Sequence, residues 1–276
     1  MRVILPGWLS SLFLRWKYRD GKVDLTRPLG PANKEVRISV IIIDETFDKR
    51  ENLAVFQLAT IDKIFPIPRV RSLVFRKFLI KQNKPSLPLL LTSTDIRTPK
   101  VAQLMTNSTA ELAWWIEAKQ QQYRITADVY LVPNLEHSLR SNFEHALSCS
   151  QDGTGLALFK HEDWESQRLQ MFKNMSSHMK ASWCRPVPGS PLKGGQDEAK
   201  NWPEVVEDPS EHKDLPHEKY DELLRNWKMA LSNFALVVID PIEVDFVDMG
   251  VIPNRRTRFF KASENNGLWS EEELVP

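Results

Sequence analysis

Residues 91–100, LTSTDIRTPK, set Thr92, Ser93, Thr94 and Thr98 around Asp95, Arg97 and Lys100, just after the apolar run LPLLL and just before the helix-like VAQLM. Thr98 is a good N-cap and Pro99 suits a first helical position. A helix starting there presents free N–H groups and the positive end of its dipole. Thr94, Arg97 and Lys100 add hydroxyl donors and charge at the same point, so the group can hold an anion. The same residues also describe a well-capped surface helix with solvated cations. This segment alone leaves both readings open.

A second segment bears on the choice. In RVRSLVFRKF, 69–78, Arg71 and Arg76 lie inside an otherwise apolar strand, where an unpaired buried charge is costly. Alternation places Arg71 with Leu73 and Phe75 on one face, and Arg76 with Val74 and Phe78 on the other. One guanidinium can then reach a ligand phosphate while strand backbone runs along a flat ring. The alternative is an edge strand with both arginines in water.

Other motifs carry less. GTGLAL at 153–158 lacks a preceding buried strand and a third small residue, which excludes a dinucleotide fingerprint and leaves a loop. The six histidines show no metal spacing, and His145 with Cys149 reads as one helix face. No Walker sequence or GxSxG elbow occurs. The glycosylation sequons at Asn107 and Asn174 mean little without a signal peptide.

The elements that must position these groups read as short strands at hairpin spacing. They fall at 53–60, 69–80, 87–93, 110–117 and 122–132, and late in the chain at 234–240, 244–249 and 256–262. Helical periodicity is confined to 98–106, 162–183 and 217–233, with a short amphipathic helix expected at 8–19. This pattern predicts a mainly β fold with flanking helices (α+β), antiparallel, as a sheet or barrel and not a Rossmann fold. The stretch 189–216, rich in Pro, Gly and acid, reads as a mobile insert.

Bulk composition sets limits. Lys plus Arg, 37, nearly cancels Asp plus Glu, 36, which argues against a nucleic-acid partner. The two cysteines form no disulfide framework and favour a reducing, cytoplasmic compartment. The N-terminal apolar stretch is too interrupted for a secretory core, and VIII at 40–43 is too short to span a membrane.

Taken in order, FQLAT, RVRSLVFR, LTSTDIRTPKV and QQYRI, the helix and proline-rich turn SQRLQMFKNMSSHMKASWCRPVPGSPL, and the tail FALVVIDPIEVDFVDM…PNRRTRFF resemble the pyridoxamine 5′-phosphate oxidase-like flavoproteins, in particular the Alr4036-type branch. The resemblance runs from about residue 53 to 276. It implies a split β-barrel of Greek-key type with FMN bound between the subunits of a homodimer. Arg71 would contact the FMN phosphate, with Ser72, Leu73, Val74 and Arg76 beside the flavin. Ser93, Thr94, Thr98 and Lys100 would complete the phosphate site, joined by Gln122, Ser176 and Arg258. Residues 53–276 would form the FMN-binding domain, and 1–52 a poorly matched N-terminal extension with a short helix.

The sequence also departs from the family. Pro99 stands where the family has an arginine, and Val247 where it has a cofactor-stacking tryptophan. Leu158 and Glu162 replace its substrate-phosphate Tyr and Arg, although Ser166 keeps a serine. Asn254, Arg255 and Arg256 replace an Arg-Leu-His stretch. The resemblance therefore implies an FMN protein with oxidoreductase chemistry on an unassigned substrate, and not an efficient vitamin B6 oxidase. True pyridoxamine phosphate oxidation and a non-catalytic binding module remain as alternatives.

Overall fold

The computed structural model describes residues 55–62, 64, 66–261 and 269–276, apart from the side chain of Pro85. The chain divides into units 1–34 and 35–276. The expected helix at 8–19, and the 1–52 extension as a whole, lie outside the described residues.

In chain order the strands are β1 Val55–Ile61, β2 Pro68–Val74, β3 Lys77–Lys81, β4 Lys84–Asp95, β5 Thr109–Ile116, β6 Gln121–Val132, β7 Phe234–Asp248, β8 Arg255–Lys261 and β9 Trp269–Leu274. The helices are α1 Pro99–Thr106, α2 Arg140–Cys149, α3 Trp164–Lys173, α4 Ser177–Ser182, α5 Gly195–Ala199 and α6 His217–Asn233. The strands form one antiparallel sheet in the order β2-β1-β5-β6-β7-β4-β3, extended by β8 on β7 and β9 on β8.

Burial follows the residue pattern. β5 alternates strictly between exposed and buried positions, and its buried set includes Leu112 and Trp114. One core packs Phe56, Leu58, Leu90, Leu112, Trp114, Ile125, Val237 and Ile239. A second packs Leu89, Leu91, Phe172, Trp183, Phe234, Leu236 and Val238. β4 and β7 thus bury both faces, which is why their sequences read as unbroken apolar runs.

The expected strand at 69–80 is two strands. Its first half, β2, pairs with β1, and its second half, β3, pairs with β4. The chain changes neighbours at Phe75–Arg76. There the Arg76 N–H donates to the Leu91 carbonyl at 3.0 Å, and Thr92 Oγ1 donates to the Val74 carbonyl at 2.7 Å. The two ends of the sheet therefore belong to one chain segment, yet no continuous ladder closes it.

The expected strands at 234–240 and 244–249 are one strand, β7. The register against β6 slips between Thr126 and Ala127, so Ile242 is the extra residue next to Pro241. The bulge absorbs a proline that would otherwise break the ladder. The expected helix at 162–183 is two helices, α3 and α4, because Ser176 caps a new start by accepting from the Met179 N–H. Residues 189–216 contain α5, a 3-10 turn at Pro209–Glu211, and the buried Val206.

Candidate cofactor site

The sheet's split and the turn after β4 open onto one cleft of about 980 Å³. Its floor is the end of β2, with Ser72, Leu73 and Val74, followed by Arg76. One side is the turn with Ser93, Thr94, Asp95, Arg97 and Lys100. The opposite wall is Met179, Ser182 and Trp183 from the α4 region, then residues 185–193, Glu198 and Trp202.

The turn is tightly wired. Asp95 accepts from Arg97 Nε at 3.0 Å and Nη2 at 2.7 Å, and from the Arg97 N–H at 2.9 Å. Arg97 also donates to the Trp183 carbonyl at 3.3 Å. The charge of Arg97 is therefore committed to Asp95, and it braces the wall instead of offering a free cation. Lys100 Nζ donates to Thr94 Oγ1 at 2.7 Å and to Thr98 Oγ1 at 3.1 Å. Its pKa is lowered to about 8, chiefly by burial and also by nearby Arg71, against the opposing pull of Asp95.

Thr98 sits at the N-cap of α1 with Pro99 behind it, but its hydroxyl makes no capping bond. It donates to the Asp95 carbonyl at 2.8 Å. The hydroxyl thus shapes the turn and leaves the helix N–H groups without a side-chain cap.

Arg71 does not line the cleft. Its Nη1 donates to the Leu58 carbonyl at 3.1 Å and Thr60 Oγ1 at 2.6 Å, and its Nη2 to Gln103 Oε1 at 2.8 Å. All three acceptors are neutral, and burial holds the arginine's pKa below its ordinary value. Arg76 lines the cleft with a buried Nε that has no hydrogen-bond partner. Arg76 and Lys100, which line the cleft with no carboxylate partner among the described residues, are the kind of donors an anion requires.

Three sequence-derived candidates lie elsewhere. Gln122 is in β6 opposite Trp115 and Val247, at the far end of the strand from Val132, which pairs with Leu236 beside Ser93. Arg258 is in β8, bound to Glu243 at 2.8 Å, which raises its pKa. Ser176 caps α4, whose region supplies the wall, but does not itself line the cleft. Trp183, Arg185 and Trp202 line the cleft without having been singled out in the sequence. Their one signal was the density of Trp and Pro in 183–203.

Among the replaced substrate positions, Leu158 packs against both cores. Glu162 accepts from Gln167 Nε2 at 2.8 Å and pairs with Lys81 at 3.5 Å. GTGLAL is a loop that starts a short turn. The Gly155 and Leu156 N–H groups donate to buried Asp240 at 3.2 and 2.8 Å, and a Cβ on Gly155 would approach that carboxylate to 2.8 Å. Among the described residues no cluster of metal-ligating side chains occurs, and no helix is long and apolar enough to cross a membrane.

Residues 39–133 match the family model of the pyridoxamine 5′-phosphate oxidase FMN-binding domain. A pyridoxamine 5′-phosphate oxidase-related, FMN-binding protein from Nostoc punctiforme superposes with a TM-score of 0.56 at 20% identity, over 90% of this chain and 98% of that one. PhzG from Burkholderia lata, solved with tetrahydrophenazine-1-carboxylic acid, aligns with a TM-score of 0.49 at 14% identity, over 91% of this chain and 95% of that one. No curated protein matches the sequence. The first likeness establishes the fold: a mainly antiparallel sheet with flanking helices of the pyridoxamine 5′-phosphate oxidase-like kind, its sheet not closed.

Proposed function

We propose that this chain is an FMN-binding flavoprotein of the Alr4036-type branch, an oxidoreductase whose substrate is not a vitamin B6 phosphate. The observation that carries the reading is the convergence in one cleft of an apolar strand end, Leu73 and Val74, with a turn whose lysine pairs with no carboxylate among the described residues. The FMN-binding family match over 39–133 spans both segments. When bound, the flavin supplies the electron and hydride chemistry, and the protein supplies position and electrostatics.

The residues present fit such a group. Lys100, oriented by Thr94 and Thr98, would hold the phosphate together with Ser93 and the uncapped start of α1. Arg71 would act from behind as a second positive charge. The strand from Ser72 to Val74 would run beside the ring and keep water from its face, and the Arg76 Nε, without a hydrogen-bond partner among the described residues, is available to a polar edge. Leu158 cannot offer a phenol, and Glu162 is engaged with Lys81 and Gln167, which supports a substrate other than a B6 phosphate.

We further propose a homodimer with the cofactor at its interface, so that Gln122 and Arg258 reach the cleft of the other copy. The free cysteines, Cys149 and Cys184, support a reducing, cytoplasmic setting. The test is the visible spectrum of the purified protein, with FMN added if it is colourless. Flavin bands that stay with the protein through gel filtration are expected; a colourless protein that does not take up FMN overturns the reading. Robust turnover of pyridoxamine phosphate would overturn the exclusion of B6 substrates.

A further inference from the structure

The cleft's outer wall has no assigned role, and its placement gives it one. The chain is bonded to the β4–α1 turn at Trp183 and passes close to it at Gly189. At Trp183, the carbonyl accepts from Arg97 Nη2 at 3.3 Å and from Asn233 Nδ2 at 2.9 Å. At Gly189, φ is +87°, and a Cβ added there would sit 3.8 Å from Pro99 Cγ. Between these points Arg185, Pro186, Val187 and Pro188 line the cleft, with two prolines limiting the paths the segment can take.

Arg185 lies over the ring of Trp202, 5.9 Å from its centroid, and both line the cleft. No carboxylate among the described residues pairs with Arg185. The lining carries five cationic side chains, Arg76, Arg97, Lys100, Arg185 and Lys193, against Asp95 and Glu198. Asp95 is already neutralised by Arg97. A phosphate monoester carries about −1.5 to −2 charges near neutral pH and three acceptor oxygens. The turn supplies one uncommitted ammonium, Lys100, and reaches the anion from the sheet side only.

Resting on the flavoprotein reading above, we propose that Arg185 is the second phosphate ligand: a guanidinium delivered from the wall at 183–202 that closes over the anion opposite Lys100. Trp202 holds the guanidinium at the mouth by a cation–π contact, so less side-chain freedom is lost when the anion binds. The proline-rich stretch is thus part of the binding site and sets the preference for a phosphorylated flavin.

The test compares FMN with riboflavin, which lacks only the phosphate. Dissociation constants are measured by flavin fluorescence quenching for wild type, Arg185→Ala, Arg185→Lys, Trp202→Leu and Lys193→Ala. Arg185→Ala should weaken FMN roughly tenfold, as for loss of one charge-assisted hydrogen bond, and leave riboflavin within about twofold. Arg185→Lys should recover part of the loss, and Trp202→Leu should lose less than Arg185→Ala. Added inorganic phosphate should compete with FMN less well in Arg185→Ala. Because Arg185 is exposed, thermal melts of the apoproteins should coincide. Equal loss for both flavins, no loss for either, or a phosphate-specific loss confined to Lys193→Ala overturns the assignment. If wild type binds neither flavin, the flavoprotein reading itself has failed, and the Arg185 series is not what decides it.

Discussion

Lys100 is pulled in opposing directions: burial and Arg71 disfavour its charge, Asp95 favours it, and the balance sets its pKa to about 8. An anion bound beside it favours the charged form. FMN affinity should therefore be highest below pH 8 and fall as pH rises through that value, with a proton taken up on binding in that range. The phosphate's own second ionisation lies near pH 6, so titration from pH 7 to 9.5 isolates the lysine. Lys100→Met should bind FMN more weakly and lose this slope; a slope that survives the substitution places the titrating group elsewhere. The sign for the ligand-free fold is the reverse. The pKa is lowered from 10.5, so the unfolded chain binds more protons between about 8 and 10.5, and the apoprotein gains stability as pH rises through that window. Single residues were readable in the sequence where one short segment carried them, as with Ser93, Thr94 and Lys100. The family resemblance makes Arg71 a phosphate ligand, but its inward path to Thr60 and Gln103 depends on a helix 32 residues away. Arg185 and Trp202 escaped notice because a Pro-rich, acidic stretch has the composition of a linker.

At the scale of elements, the joint between α3 and α6 rests on one buried arginine. Arg168, 1% exposed, binds Glu165 at 2.6 Å and donates to the Leu231 and Phe234 carbonyls at 3.0 and 3.3 Å, closing the C-terminal end of α6. Arg168→Met takes the side-chain donor from those carbonyls and leaves Glu165 with Arg140 alone, at 3.3 Å. It should cost about 3 kcal/mol, read from urea denaturation. Ser176→Ala removes only the α4 cap and should cost about 1 kcal/mol. Element type was legible wherever periodicity was strong, as in the strict alternation of β5. Boundaries were not. The sequence cannot show that β2 and β3 pair with different neighbours, or that a bulge admits Pro241 into one long strand. The extent of α2 is not legible beyond the His145–Cys149 spacing, because its buried positions, Arg140 and Phe143, give almost no apolar period.

Across the whole molecule, the outer face of β1, β2 and β5 keeps apolar side chains in water. Val70 is 64% exposed, and Val55, Ile61 and Trp115 accompany it. Such a face next to the cleft floor supports pairing of two copies. Val70→Glu combined with Trp115→Glu should shift the protein to a monomer in light scattering and weaken FMN binding together with it. A monomeric double variant with unchanged FMN affinity would separate the cofactor site from the interface.

The sheet order also fixes when the cleft can exist during synthesis. Every lining residue falls between 72 and 202, yet the strand ladder that joins β4 to the β2-β1-β5-β6 half runs through β7, at 234–248. On the ribosome those two halves must wait, tethered at Phe75–Arg76, for a strand that emerges after the pocket has been fully written. A nascent chain arrested before Phe234 would carry the complete inventory of the site and still lack the strand that brings its walls together.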